Sequence, residues 1–130
     1  MRAVLEHISK DKVVDLLCLI KESLKIDGIV IIDVPNMDWI LASHERYMDF
    51  THQIGFTPDS LCQVMREVFG NVIVECCDTP RIFSKFNFLK NILVKIGRGI
   101  LATIIRMCEP DINVKSVLSR DIMCVSSRIK

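Results

Sequence analysis

Length, composition and charge describe an ordinary globular chain. It has 130 residues, of which 50% are hydrophobic and 25% charged, and its formal net charge is +1 at pH 7. This composition excludes a disordered or fibrous chain and allows one compact domain with its own core. The near-neutral charge excludes a global field that would attract nucleic acid, so we expect function to come from local groups of residues.

The first part of the chain predicts a partial strand, a helix and a full strand. Residues 3–5 form a short apolar run with no turn or capping signal before it, like the second half of a strand. Residues 10–25 place apolar side chains at helical spacing, and Asp27-Gly28 is a suitable end for this helix. Residues 29–34 are an almost unbroken β-branched run, which is typical of a strand covered by helices on both faces.

Residues 36–57 are predicted to be a long loop rich in polar and aromatic side chains, which in a compact domain is usually functional or mobile. Thr57 and Pro58 then open a helix, with threonine as N-cap and proline at the first helical position. Gly70 is the predicted end of this helix, and residues 71–77 predict a strand.

A second long helical region is predicted over residues 84–108, with a break near Gly97 and Gly99. Its apolar length raises the question of a membrane span, but a charge at the bilayer centre is costly. The basic residues in this region are Lys90, Lys95 and Arg98. We favour a helix that covers the substrate side or contacts a partner, and peripheral contact with a membrane surface is the alternative.

Residues 121–127 predict a closing strand. The alternation of strands and helices predicts a single α/β domain over residues 1–130, with a mainly parallel sheet and a helical insertion at about 84–108. Because no ordinary crossover helix joins the last two strands, these two can instead pair antiparallel.

The six cysteines favour reduced thiols over a disulfide framework. Most of them lie in strongly apolar stretches, where a free cysteine packs as a small hydrophobic residue. The adjacent pair Cys76-Cys77 lacks the spacing of zinc ligands, and the sequence contains no CxxC motif. Without a recognisable signal peptide after Met1, the sequence predicts a cytoplasmic protein.

Several segments resemble the later motifs of class I S-adenosylmethionine-dependent methyltransferases. They are VLEHI at residues 4–8, LKIDGIVII at 24–32 and VPN at 34–36. Residues 46–61, RYMDFTHQIGFTPDSL, are similar to a loop in a bacterial subset of that family, often found among enzymes that modify surface polysaccharides or small metabolites. The resemblance covers nearly the whole chain, and the combination is more specific than an LKxGG motif alone.

The resemblance implies a Rossmann-like sheet that is N-terminally truncated, with the fourth strand onward present and the last strand antiparallel. One departure from the family pattern is Asp27, which replaces the first glycine of the usual pair. A larger departure is that the five glycines include no GxGxG loop, and nothing matches the acidic residue that ends the family's second strand. In the family these parts contact the amino-acid and ribose portions of the cofactor. We therefore expect weak or absent binding of S-adenosylmethionine by this chain alone.

The resemblance also implies candidate site residues. Glu6 and His7 occupy a loop that borders cofactor and substrate in the family, although His7 can equally cap or pack beneath the following helix. Asn36, Arg46 and Tyr47 are candidates for binding a polar acceptor, with ordinary surface positions as the alternative.

Asp49 and His52 are the candidate catalytic pair. Methyl transfer to oxygen or nitrogen needs a base for the acceptor's proton; a histidine can serve at neutral pH, and a neighbouring aspartate can orient its ring. The alternative is that both residues brace a substrate lid through bonds to backbone. A metal site is not expected, because the spacing of His7, His44 and His52 fits no compact ligand motif.

Two hypotheses of function remain. The first is the C-terminal portion of a methyltransferase that acts on a small polar or sugar-like acceptor and is inactive without an N-terminal partner segment that holds the cofactor. The second is a non-enzymatic truncated remnant or interaction module. An exposed sheet edge also predicts self-association of the chain, and neither hypothesis involves nucleic acid.

Overall fold

The computed structural model describes residues 1–77 and 88–128. Three strands form one sheet in the order β1-β3-β2, where β1 is Ile29–Pro35, β2 is Val72–Cys77 and β3 is Asp121–Ser127. The three strands lie where the sequence predicts strands, and with the helices they give the predicted α/β class.

The expectation of a mainly parallel sheet is wrong for these strands. β3 lies between the other two and pairs antiparallel with each of them, so that Val125 faces Ile31 on one side and Ile73 on the other. The alternation of helices and strands made β1 and β2 run in the same direction, as expected. β1 and β2 do not pair with each other, because β3 lies between them. The antiparallel direction of this last strand agrees with the sequence prediction.

Two helices cover one face of the sheet. α1 is Val13–Ser23 and α3 is Pro58–Phe69, and both contribute to a single core with alternate residues of the strands. The side chains in this core with no exposed surface are Leu5, Leu17, Ile32, Leu61, Met65, Ile122 and Cys124. Burial at every second strand position is the pattern of a sheet with one covered face.

The opposite face carries apolar residues without a cover among the described residues. Ile29, Ile31 and Ile73 are 63%, 49% and 64% exposed. The prediction that β1 is covered by helices on both faces is therefore wrong for residues 1–77 and 88–128.

The helix ends follow their local sequence to different degrees. Thr57 Oγ1 accepts a hydrogen bond from the Ser60 backbone N–H, and the Ser60 hydroxyl accepts one from the Thr57 backbone N–H, which is the capping box at the predicted start of α3. Gly70 ends α3 at a φ of 81°, as predicted. α1 ends earlier than predicted, at Ser23, and the positive φ of 63° belongs to Asp27 instead of Gly28.

The N-terminal residues form less strand than predicted. Arg2 makes an isolated parallel bridge to Asp33 of β1, with a bond of 3.0 Å from the Ala3 N–H to the Asp33 carbonyl. A 3-10 helix follows directly at Leu5–His7, and a second one at Lys10–Lys12 leads into α1. The apolar run at 3–5 thus belongs to a turn of helix whose Leu5 enters the core, instead of to a strand.

Two further helices lie in segments for which the sequence predicted no helix. α2, Ala42–Tyr47, lies within the predicted loop 36–57, and α5, Val114–Leu118, precedes β3. The Asn113 side chain caps α5 by accepting bonds from two backbone N–H groups. Propensity alone does not predict helices this short, because they depend on tertiary contacts.

α4, Phe88–Cys108, continues without interruption through Gly97 and Gly99, so the predicted break is absent; residues 84–87 lie outside the described ranges. Within residues 1–77 and 88–128, no helix combines the length and apolar character needed to cross a membrane. α4 contacts α5 and leaves a row of apolar side chains exposed, namely Leu93, Ile96, Ile100, Ile104 and Met107.

All cysteines whose side chains the structure describes are free thiols, as predicted, but their surroundings differ. Cys124 is buried in the core, whereas Cys18 and Cys108 are exposed. The expectation that these apolar stretches bury their cysteines is therefore wrong at the two helical positions.

Candidate functional site

A cleft of about 340 Å³ opens at the end of β1 and the start of β3. Four predicted site residues line it together: Glu6, His7, Asp49 and His52. The 3-10 helix Leu5–His7 brings the first two, and the loop after α2 brings the others. The Glu6 carbonyl accepts bonds of 2.8 Å from Gln53 N–H and 3.2 Å from Ile54 N–H, which attaches this loop to the 3-10 helix.

His7 is connected to Asp49 through Thr51. The Thr51 hydroxyl donates to Asp49 Oδ1 at 2.7 Å and lies 2.8 Å from His7 Nδ1. Bonds from the Thr51 side chain and then its backbone lower the pKa of the Asp49 carboxyl, with the two histidines adding to this effect. Because the Thr51 proton is directed to the carboxylate, its oxygen accepts the proton of His7 Nδ1.

His52 is oriented by backbone instead of by the predicted aspartate. Its Nδ1 lies 3.0 Å from the carbonyl oxygen of Glu45, which can only accept. Arg46 donates to the carbonyl oxygens of His52 and Gln53, so its guanidinium holds the loop in place. The two imidazole rings then meet with centroids 4.8 Å apart and planes inclined at 55°.

The Glu6 side chain is only 3% exposed, and its Oε2 is the one buried polar side-chain atom without a hydrogen-bond partner in the described part of the chain. A buried carboxylate oxygen without a partner is unfavourable unless a ligand or ion meets it. This atom therefore indicates where a ligand or an ion binds in the cleft.

Both arginines of the cleft are paired with carboxylates. Arg2 Nε lies 3.0 Å from Asp33, and Arg120 Nη2 lies 2.8 Å from Glu45, whose side chain is nearly buried. Asp121 also lines the cleft, where burial and then the charge of Asp33 raise the pKa of its carboxyl. The cleft thus contains more acidic than basic groups.

The predicted acceptor-binding residues do not line this cleft. Asn36 is fully buried, and its Nδ2 donates to the carbonyls of Ser116 and Ser119 at 2.8 Å each, which joins β1 to α5. Arg46 lines a second groove of about 700 Å³ beside α1 and α3. Tyr47 is 80% exposed, with the Arg46 guanidinium 5.6 Å from its ring centre.

Sequence reasoning missed Glu45 and Arg120. Glu45 supplies the carbonyl that orients His52 and a carboxylate for Arg120, although 75 positions separate the two paired residues. Neither residue lies in a recognisable motif, so only the packing of α2 against the start of β3 reveals them.

Comparison with known proteins supports the fold. No protein-family model matches the chain, and no curated protein sequence is significantly similar to it. Its structure is similar to the crystal structure of a SAM dependent methyltransferase from Archaeoglobus fulgidus, with a TM-score of 0.63 and 17% sequence identity. The similarity covers 98% of this chain and 57% of that chain, so this chain spans little more than half of its length. The comparison supports a methyltransferase-like fold, and the bacterial subset named above stays a prediction.

Proposed function

We propose that this chain forms the acceptor side of an S-adenosylmethionine-dependent methyltransferase. The observation that carries the proposal is the convergence of His7, Asp49 and His52 in one cleft at the end of β1. Ends of strands are where α/β sheets bind ligands, and the methyltransferase-like fold agrees with this chemistry.

In the proposed reaction, His52 accepts the proton of an acceptor hydroxyl or amine. When held by a completed site, S-adenosylmethionine would supply an electrophilic methyl group to that oxygen or nitrogen and would depart as a neutral thioether. Glu6 and His7 would border the methyl donor, and Asp49 holds His7 through Thr51. Proton transfer of this kind contributes about 10²–10⁴-fold to a rate.

The charges of the cleft favour a neutral or cationic polar acceptor. Arg2 and Arg120 are neutralised by Asp33 and Glu45, and the remaining groups are acidic or imidazole. Such a lining repels phosphate and carboxylate groups, whereas hydroxyls and amines find acceptors for their protons. A volume of about 340 Å³ suits a small molecule, and a sugar or polyol fits this description.

In this proposal, the part of the site that binds the methyl donor comes from a polypeptide segment outside these 130 residues. The 130 residues contain no glycine-rich loop that lets backbone approach the cofactor. An N-terminal partner segment that supplies this loop would complete the site. Calorimetry of the 130-residue chain with S-adenosylmethionine should show no saturable binding, and micromolar affinity would contradict this proposal.

NMR titration tests the acceptor site without the cofactor. The ¹⁵N-labelled chain is titrated with uncharged sugars, polyols and amino sugars, and with phosphorylated counterparts. We expect shifts confined to the amides of Glu6, His7 and residues 49–53 for the uncharged or amino compounds. The His52→Asn variant should lose them, while His44→Asn, exposed and outside the cleft, should keep them. Preferential binding of phosphorylated compounds would refute the proposed acceptor class.

A second candidate, an interaction module, is favoured by the exposed apolar row on α4. Ile96 and Ile100 are 54% and 58% exposed on that helix. Adjacent exposed apolar side chains of this kind mark contact sites with proteins or membrane surfaces. Sedimentation velocity of the chain should show self-association that the double variant Ile96→Glu, Ile100→Glu reduces. An unchanged monomer in both proteins would remove the support for this candidate.

A further inference from the structure

Three potential metal ligands meet in the cleft. Glu6, His7 and His52 each place one ligand atom within 4.8 Å of the others. Glu6 and His7 are neighbours in sequence, whereas His52 arrives 45 positions after His7 through the loop that Arg46 braces. Because of this separation, spacing in the sequence gave no sign of the cluster.

The Glu6 carboxylate supplies the first sign that a cation belongs here. Its Oε2 is buried and has no hydrogen-bond partner in the described part of the chain. The nearby arginines are engaged, Arg2 with Asp33 and Arg120 with Glu45. A buried carboxylate is retained when it is paired or coordinates a metal, so a bound cation accounts for this oxygen.

The hydrogen-bond network prepares both histidines in the form that binds metals. His7 Nδ1 donates to Thr51, whose own proton is directed to Asp49, and His52 Nδ1 donates to the Glu45 carbonyl. With Nδ1 protonated in a neutral ring, each Nε2 carries a free lone pair. A metal-binding histidine typically has its second nitrogen bonded to a carbonyl or carboxylate in this way.

We propose that Glu6, His7 and His52 bind a divalent first-row transition-metal ion through one carboxylate oxygen and the two Nε2 atoms. Two imidazoles and a carboxylate suit zinc, manganese or iron(II), whereas magnesium prefers oxygen ligands alone. Metal–ligand bonds of roughly 2.0–2.2 Å would draw together the three donor atoms, which here lie within 4.8 Å of one another. Three protein ligands would leave at least one coordination position for a water or an acceptor.

This inference goes beyond the proposed function, and ion binding does not depend on it. Only the consequence for catalysis rests on methyl transfer. A bound ion would lower the pKa of a coordinated acceptor hydroxyl and would then replace His52 as the means of activation. A test of binding without methyl donor or acceptor therefore separates the two proposals. If methyl transfer is not observed, a positive result for metal binding still stands. If metal binding is not observed, a positive result for methyl transfer still stands.

Calorimetry on the chelator-treated 130-residue chain tests the site. Titration with Zn²⁺ and with Mn²⁺ should give one saturable site per chain for at least one of them, and Mg²⁺ should bind far more weakly. His52→Asn retains a donor for the Glu45 carbonyl but lacks Nε2, and should lower affinity at least about 100-fold. His44→Asn should bind as the parent does. A Cys18→Ser, Cys108→Ser variant should also be unchanged, which excludes binding by the exposed thiols.

Thermal unfolding of Glu6→Gln gives an independent readout. Gln keeps the shape of the side chain and removes the buried charge, so the metal-free variant should melt at or above the metal-free parent. Metal at a large excess over its dissociation constant should raise the parent's Tm and leave the variant's unchanged. Absence of saturable binding by the parent, or equal loss of binding in His44→Asn and His52→Asn, would overturn the proposal.

Discussion

The two faces of the sheet are made of the same kinds of residues but have different surroundings. In β1, Val30, Ile32 and Val34 are at most 7% exposed, whereas Ile29 and Ile31 are 63% and 49% exposed. α1 and α3 pack on the first face, and within the described residues nothing comparable covers the second. The comparison shows that an apolar run predicts a strand without revealing how many of its faces are covered.

The apolar residues of the open face form a row across the sheet. The register places Ile31, Val125 and Ile73 in one row across the three strands. A solvent-facing sheet normally alternates apolar and polar residues, so a retained apolar row has the character of an interface. We expect this row to contribute to the self-association that the exposed sheet edge predicts.

The largest expected difference between covered and exposed positions concerns thiol chemistry. Burial raises the pKa of the Cys124 thiol from 9.0 to about 12, and the charge of Cys62 adds to the effect. Since the thiolate is the reactive form, this lowers its fraction roughly 1000-fold below pH 9. Iodoacetamide at pH 8 followed by mass spectrometry should modify Cys18 and Cys108 while Cys124 stays unmodified. At pH 10 the Cys124 thiol is still mostly protonated and buried, so it should remain the slowest of the three; modification at a rate similar to that of the exposed pair would show that the core is open.

A pair of alanine substitutions in β1 compares the faces by stability. Ile32→Ala removes a fully buried side chain and should lower the free energy of unfolding by about 2–5 kcal/mol. Ile31→Ala, one position away on the half-exposed face, should cost about 1 kcal/mol or less. Urea unfolding followed by circular dichroism measures both. Equal losses would mean that the open face is covered in solution.

The smallest expected effect on stability comes from polar substitutions on the open face. Ile31→Thr with Ile73→Thr keeps β-branched shapes at two exposed positions, so the unfolding free energy should change by less than about 1 kcal/mol. Light scattering at high concentration should nevertheless show less self-association than in the parent chain. A parent chain that stays monomeric would break the proposed link between this face and association.

The sequence predicted the strands and long helices because their signals are local. The β-branched run of β1, the threonine cap of α3 and the glycine that ends α3 each act within a few residues. Predictions failed where distant parts decide the outcome. α2 forms inside a predicted loop, and α1 ends at Ser23, before the predicted end at Asp27-Gly28.

The candidate site shows the same difference between what local sequence signals indicate and what contacts between distant residues decide. The structure brings together Glu6, His7, Asp49 and His52, which the motifs named as candidates, and their roles stay predictions. The substrate roles of Asn36, Arg46 and Tyr47 stay predictions that this cleft does not support, because their side chains lie elsewhere. Polar residues of one loop have similar sequence signals whether they face a ligand or brace the backbone.

By itself the sequence determined the α/β class and the positions of the strands, because helix periodicity, β-branching and capping are properties of neighbouring residues. Only the tertiary structure decided that β3 separates β1 from β2, that one face stays open, and that Glu6, His7 and His52 converge. Those features arise from contacts between residues far apart in the chain. Which distant residues meet depends on how the whole core packs, and no local pattern contains that information.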